Sequence, residues 1–225
     1  MAVVIAVAFG LFGSGAAGAG KPAAQTKTPG SADPTAKGAF SGLALEAVTI
    51  PVRSLSPTLA GAFRQGARTA HDSTITGFVF RNRGDTGLCL SAADTGPAAG
   101  QNHDPVLVSA CRRAANEIWI PEQWETKGLT FTHLVNDQYQ TMCLNADKLG
   151  GLSNGHIVQL WDCYPAGNEM WDFGDWHQAV STRAGSYPLF ARSGRLCLDA
   201  DKYDLRVGTP VRVWTQYVAA NQFWS

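Results

Sequence analysis

The chain has little charge and no excess of either sign. Of its 225 residues, 16% are Asp, Glu, Lys or Arg, and 18 acidic side chains balance 18 basic ones. A balanced chain exerts no general attraction on phosphate backbones or anionic lipid surfaces. Nucleic acid is therefore not an expected partner.

Signatures of catalysis and of cofactor binding are also missing. The sequence has no Gly-x-Ser-x-Gly, no P-loop and no dinucleotide fingerprint. Its histidines show no spacing typical of metal ligands, and they are His71, His103, His133, His156 and His177. We expect no enzyme activity, no cofactor and no metal site.

The N-terminal segment lacks both charge and a long hydrophobic run. Residues 1–20 carry no charged side chain, and the apolar part, Ala2–Phe12, is shorter than the roughly 20 residues of a membrane-spanning helix. Small residues around Gly18 suit a signal-peptidase site, although no Lys or Arg precedes the apolar part. We expect a signal peptide, with a weak anchor as the alternative, and a secreted, extracellular protein.

The next two segments differ in composition. Residues 21–39 contain Ala, Pro, Thr, Lys and Gly with no large apolar side chain, which predicts a disordered linker. Residues 40–77 form an N-terminal extension in which "LALEAVTI" fits a strand or a helical turn. The stretch "SPTLAGAFRQGART" fits a short helix that begins at Ser56-Pro57.

A repeat of about 50 residues fills the rest of the chain. Cys89, Cys143 and Cys197 are each followed by Leu and lie 54 residues apart. The phrases "NEIW", "NEMW" and "NQFW" end the three units, which span about 78–125, 131–177 and 187–225. Short alternating runs and turns, without an amphipathic stretch of helical length, predict an all-β domain.

Three such units are expected to pack around a shared axis, because none buries its own apolar face. Trp119, Trp171 and Trp224 then fill equivalent places in one core. The combination of Cys-Leu-Asp-Ala, Gly-x-x-Val-x-Val/Leu-Trp and Asn-Gln-x-Trp resembles the ricin-type lectin family. The resemblance covers about 78–225 and implies a β-trefoil that binds carbohydrate.

The cysteines fit this resemblance. Five cysteines with one unpaired allow fifteen sets of two bridges, so their number alone does not fix the pairing. The repeat favours bridges within a unit, and the resemblance implies them: Cys89 with Cys111 and Cys143 with Cys163. Gln216 stands at the corresponding place of the third unit, which leaves Cys197 as a free thiol.

The resemblance also implies which side chains hold a sugar. The family uses the acid after Cys-Leu, a polar residue, an aromatic residue two positions later, and the Asn and Gln of the last motif. In the third unit, the main site, these are Asp199, Arg212, Trp214, Asn221 and Gln222. A weaker second site has Asn145, Gln159, Trp161 and Asn168, with an amide in place of the acid.

The first unit has Ser91, Leu107 and Ser109 at these positions, so no sugar is expected there. Trp161 and Trp214 also suit a core, but strand alternation places them on one face with Gln159 and Arg212, which favours exposure to solvent.

Two hypotheses follow. The first is a non-catalytic carbohydrate-binding module that meets membranes only through surface glycans. The second is a subunit of a secreted toxin, similar to the cell-binding subunits of cytolethal distending toxin, in which residues 40–77 contact a partner chain. A loop-based protease inhibitor is a weaker third hypothesis.

Overall fold

In the computed structural model of the protein, the described residues are 45–64, 74–94, 99–126, 129–173, 187–192, 196–201, 203–217 and 219–225. The predicted signal peptide or anchor (1–20) and linker (21–39) lie outside these ranges. Across them, every helix falls short of the length and apolarity that a membrane crossing requires.

The described part of the chain is built mainly from short strands. The strands and the single α-helix found there are β1 (Glu46–Pro51), α1 (Pro57–Arg64), β2 (Thr74–Val79), β3 (Leu88–Ala92), β4 (Val106–Ala110), β5 (Ile118–Thr126), β6 (Leu129–Asn136), β7 (Met142–Ala146), β8 (Val158–Asp162), β9 (Trp171–Phe173), β10 (Leu189–Ala191), β11 (Leu196–Ala200) and β12 (Val211–Thr215). Short 3-10 helices cover Val52–Ser54, Ala115–Glu117 and Ala220–Gln222.

Each repeat contributes one antiparallel hairpin that begins with its Cys-Leu strand. The hairpins are β3 with β4, β7 with β8 and β11 with β12. Single bridges join the second strands of these hairpins in pairs: Pro105 to Gln159, Leu107 to Pro210 and Ile157 to Arg212. Since every hairpin touches both others, the three units surround a common axis, as the repeat predicts.

The remaining strands carry the chain from one unit to the next. β2, β5, β6 and β7 are successive neighbours in one sheet, and β9 to β12 form another. The end of the chain links the first and third units, because Trp224 bridges to both Asn82 and Tyr187. The last unit is thereby joined to the first.

The core contains the three motif tryptophans. Trp119, Trp171 and Trp224 are fully buried in one apolar cluster, so their predicted structural role is confirmed. Each indole N–H donates to a backbone oxygen of its own unit, those of Leu90 (3.0 Å), Leu144 (2.8 Å) and Leu198 (3.4 Å). These acceptors follow the three Cys residues of the repeat, which is why the Cys-Leu and Asn-x-x-Trp motifs recur together.

The N-terminal extension packs on the first unit. β1 pairs with β2 along its whole length, so "LALEAVTI" supplies a strand, and α1 confirms the predicted short helix. Ile50 and Leu59 are buried in a second apolar cluster that includes Cys89 and Cys143. Glu46 forms salt bridges with Arg81 (2.7 Å) and with Arg113.

The predicted disulfides are both present. Cys89 is bonded to Cys111 and Cys143 to Cys163, at sequence separations of 22 and 20. Cys197 is a free, buried thiol, and burial raises its pKa well above the usual range. It is therefore protonated and behaves as a small apolar side chain.

Candidate functional site

The hairpin of the third unit presents acid, cation and aromatic ring on one face. Asp199 of β11 lies opposite Arg212 of β12, and Trp214 follows two residues further along the same strand. Arg212 is exposed and Trp214 is 40% exposed to solvent. Val211 and Val213, on the other face, are buried in the core. The predicted alternation is confirmed in this unit.

Asp199 is the centre of a hydrogen-bonded group. The Tyr217 hydroxyl donates to Asp199 Oδ2 at 2.7 Å, and Gln222 Nε2 donates to the same atom at 2.8 Å. Asn221 Nδ2 donates to the Tyr217 hydroxyl at 2.9 Å. The side chain of Asp199 therefore meets those of Asn221 and Gln222, more than 20 residues later in the sequence, as predicted.

Burial raises the pKa of Asp199 above its ordinary value, and the bonds from Tyr217 and Gln222 oppose that shift. Burial also raises the pKa of Tyr217 to about 12, and the neighbouring Asp199 adds to the effect. The phenol is therefore a neutral hydroxyl at physiological pH, able to donate to the carboxylate.

This group borders an open cavity of about 570 Å³. The cavity is lined by Asp199, Asp201, Tyr203, Arg212, Trp214 and Tyr217. Its volume lies within the range of ligand pockets, and it combines aromatic rings with a few charged groups. Asp201 also accepts the backbone N–H of Tyr203 at 2.9 Å, a hydrogen bond typical of an aspartate in a turn.

Three of the lining residues, Asp201, Tyr203 and Tyr217, were not predicted as site residues. Tyr203 is 87% exposed and lies on the loop between β11 and β12, where sequence alone gives no signal. Tyr217 could have been found from the repeat. Its backbone N–H bonds to Gln222 Oε1 as that of Tyr164 bonds to Glu169 Oε2, both at a spacing of five residues.

In the second unit the corresponding polar groups are used by the fold. Asn145 Nδ2 donates to Glu169 Oε1 at 2.8 Å, and Asn168 Nδ2 donates to the backbone oxygen of Ala146 at 3.0 Å. Asn145, Asn168 and Glu169 are all buried. In the third unit Asp199 pairs with the amide of Gln222, whereas here the amide of Asn145 pairs with the acid Glu169. Burial raises the pKa of Glu169 to about 8.

The expectation that Gln159 faces solvent is wrong. It is 1% exposed, because the bridge to Pro105 brings the first unit against it and His103 Nδ1 lies 3.3 Å from its Oε1. Trp161 is half-buried. The His103 ring stands perpendicular to the Trp161 ring with 4.5 Å between the centroids.

The contact between His103 and Trp161 arises from a repeated loop geometry. His103, Gly155 and Gly208 have φ values of 76°, 88° and 89°, and each backbone N–H donates to a strand of a neighbouring unit. A Cβ at Gly155 would lie 3.5 Å from Trp214 Cζ3. The loop of one unit thus borders the aromatic position of the next, and glycine leaves Trp214 uncovered where histidine contacts Trp161.

The first unit has no exposed aromatic residue at this position. Ser109 Oγ donates to the buried Glu117 at 2.9 Å, and Asn116 Nδ2 donates to Ser91 Oγ at 2.9 Å. Its polar side chains bind one another, in keeping with the expectation of no sugar there.

One cluster of possible metal ligands occurs in the described residues. It consists of His133, Cys143 and Glu169, whose ligand atoms lie within 4.8 Å of one another. The sulfur of Cys143 is bonded to Cys163, so the thiolate that a metal requires is not available.

The repeat, the three hairpins and the polar group agree with a match to a family model. Residues 76–224 match the model of the ricin-type beta-trefoil lectin domain. The chain belongs to this family. Membership implies carbohydrate binding, and the domains of this family are generally non-catalytic.

Solved structures show the same fold. ThreeFoil, a designed 3-fold symmetric protein, has a TM-score of 0.52 at 18% identity, over 65% of this chain and 94% of its own. The agglutinin of Rhizoctonia solani has a TM-score of 0.50 at 18% identity, over 65% and 89%. Comparison with curated proteins gave no match.

A third similar structure is part of an enzyme. An exo-beta-1,3-galactanase from Clostridium thermocellum has a TM-score of 0.54 at 17% identity, and the similarity covers 66% of this chain but 29% of the galactanase. At these identities the likeness concerns the fold alone. The all-β, β-trefoil fold expected from the sequence is confirmed.

Proposed function

We propose that the chain is a secreted, non-catalytic lectin whose main sugar site is in the third unit. One observation carries this proposal: Trp214 is exposed on the face where Asp199, Asn221 and Gln222 meet, beside an open cavity of about 570 Å³. A sugar has an apolar C–H face and a polar edge, and this site offers a ring for the first and hydrogen-bonding groups for the second.

Each side chain has a distinct role in the proposed site. Trp214 stacks on the sugar ring, and Asp199 accepts its hydroxyl protons. Gln222 holds the carboxylate in place, since its amide donates to Oδ2. Arg212, exposed beside the acid, donates to further sugar oxygens.

The second unit supports weaker binding at most. Trp161 supplies an aromatic ring, but Asn145 is bonded to Glu169 and Gln159 is buried beside His103. A ligand that bound there would have to replace these internal bonds. The proposed partners are therefore glycans or glycoconjugates held mainly by the third unit.

A glycan array tests this function. The wild-type protein should bind at least one glycan class, Trp214→Ala should lose most of the signal, and the matched variant Trp161→Ala should keep it. Absence of binding by the wild type at high concentration would refute the proposal. Mass analysis of the N-terminus of protein from the culture medium tests secretion, since a cleaved signal peptide removes about 20 residues.

The second candidate function is that of a subunit in a secreted complex. The observation that favours it is the extension, which adds β1 as the end strand of a six-stranded sheet. A pull-down from the medium of the producing organism should then recover one partner, and removal of residues 45–51 should release it. A chain that is monomeric and recovers no partner contradicts this candidate.

A further inference from the structure

The hydroxyl of Tyr217 bridges an acid and an amide of the proposed sugar site. It donates to Asp199 Oδ2 at 2.7 Å and accepts from Asn221 Nδ2 at 2.9 Å. A sugar hydroxyl has the same capacity, with one proton to donate and lone pairs to accept. The phenol therefore stands where a ligand hydroxyl would bind.

The backbone of Tyr217 is held separately from its hydroxyl. Its N–H is fixed by Gln222 Oε1 at 2.9 Å, while 37% of the residue is exposed at the edge of the cavity. Exposed side chains change rotamer on the picosecond to nanosecond timescale. Rotation of the ring into solvent would free Asp199 Oδ2 and Asn221 Nδ2 together.

A second observation concerns Asn221. The residue is 3% exposed, and its Oδ1 atom is buried with no hydrogen-bond partner among the described residues. Such an atom is costly to leave unpaired. Oδ1 belongs to the same planar amide as Nδ2. If one sugar hydroxyl replaces the phenol at Nδ2, a second hydroxyl on the neighbouring sugar carbon can therefore donate to Oδ1. Two adjacent hydroxyls would satisfy more groups than the phenol does.

We propose that Tyr217 competes with the ligand, a sugar whose two adjacent hydroxyls displace the phenol from Asp199 and Asn221. This inference rests on the proposed function. A ligand carboxylate does not replace the phenol here, since it has no proton to donate to Asp199 and carries the same negative charge.

Titration calorimetry with galactose, glucose, mannose and glucuronate tests the proposal. Tyr217→Phe keeps the ring but removes the competing hydroxyl. The net value of one hydrogen bond predicts about 2- to 10-fold tighter binding of the neutral sugar that the wild type prefers. The matched control is Tyr164→Phe in the second unit, whose hydroxyl bonds to Asn168 Oδ1 at 3.3 Å, and its affinity should equal that of the wild type.

The outcomes separate this inference from the function itself. If the wild type binds and Tyr217→Phe binds equally or more weakly, the competition is refuted and the lectin function stands. If neither protein binds any sugar, both proposals fail.

A second measurement observes the displacement directly. In protein with ¹³C-labelled tyrosine, the Tyr217 ring resonance is assigned by its loss in Tyr217→Phe. It should shift towards the position of a solvent-exposed tyrosine when the neutral sugar saturates the protein. A Tyr217 resonance that stays constant while that of Trp214 responds overturns the proposal.

Discussion

At the scale of single residues, one loop position determines how accessible each aromatic platform is. His103 contacts Trp161, whereas Gly155 at the equivalent position leaves Trp214 open. A histidine is tolerated at this positive φ in the first unit, at a cost of about 1–2 kcal/mol. The exposure of each ring thus depends on a residue supplied by the neighbouring unit.

This predicts that Gly155→His weakens sugar binding. The new imidazole should contact Trp214 as His103 contacts Trp161 and compete with the sugar for its ring. Calorimetry should show at least a roughly tenfold loss of affinity, which corresponds to about 1.4 kcal/mol. Gly208→His is the matched control, because a Cβ there meets nothing within 4 Å, and its affinity should stay unchanged. Equal affinities for the two variants would contradict the prediction.

The buried Glu169 should make the free energy of unfolding depend on pH. Burial raises its pKa from 4.5 to about 8, with Asp162 adding to the shift while Lys148 and the bonds from Tyr164 and Asn145 oppose it. Between these values the folded protein keeps a proton that the unfolded chain has released. Stability should therefore fall as the pH rises from about 4.5 to about 8, by roughly 1.4 kcal/mol for each unit of pKa shift.

Glu169→Gln removes this titration. Urea unfolding at pH 5 and pH 8 should show a smaller difference in the free energy of unfolding for the variant than for the wild type. The buried His133 lies close to Glu169, so the comparison is made at both pH values for both proteins. An unchanged difference would show that Glu169 is ionised in the folded protein.

At the scale of the elements, the extension behaves as an added strand of the trefoil. Gly77 of β2 allows β1 to approach, since a Cβ there would lie 2.6 Å from Ile118 Cγ2 and 2.9 Å from Ile50 Cδ1. Gly77→Ala should therefore lower the free energy of unfolding by about 1–3 kcal/mol, which chemical denaturation measures.

Gly61→Ala is the control for that variant. Gly61 lies in α1 with nothing within 4 Å of a new Cβ, and alanine is the better helix former by about 0.8–1.0 kcal/mol. This variant should be as stable as the wild type or more so. A destabilised Gly61→Ala protein beside an unaffected Gly77→Ala protein would contradict the packing described for the extension.

At the scale of the whole molecule, the repeat fixes the architecture. The spacing of Trp119, Trp171 and Trp224 assigns them to one core. The disulfides Cys89–Cys111 and Cys143–Cys163 occupy equivalent positions in their units, so the repeat favours both. These features recur in register, so sequence reveals them.

The details of the sites depend on contacts between units, which spacing within one unit does not show. Alternation predicted an exposed Gln159, but the first unit covers it through Pro105 and His103. Tyr203 stands on a loop whose counterparts in the other repeats contain no Phe, Tyr or Trp. The sequence shows which acidic and amide side chains stand at the site positions. It does not show which of them already form hydrogen bonds within the fold.

The link between the first and third units predicts cooperative unfolding. Trp224 is fully buried and bridges the first and third units, so Trp224→Ala should cost about 3–5 kcal/mol and destabilise all three units together. Urea unfolding followed by tryptophan fluorescence and by circular dichroism should give coincident transitions shifted to lower urea. Loss of the third unit alone, seen as two separate transitions, would contradict this account.

The third unit is the proposed sugar-binding unit. Titration of the ¹⁵N-labelled protein with the glycan selected on the array measures this most directly, through the indole N–H resonances of Trp214 and Trp161. Binding in the third unit predicts a saturable shift of the Trp214 resonance at the lowest ligand concentrations, with that of Trp161 unaffected there. Saturation of Trp161 first, or binding that leaves Trp214 unchanged, would contradict it.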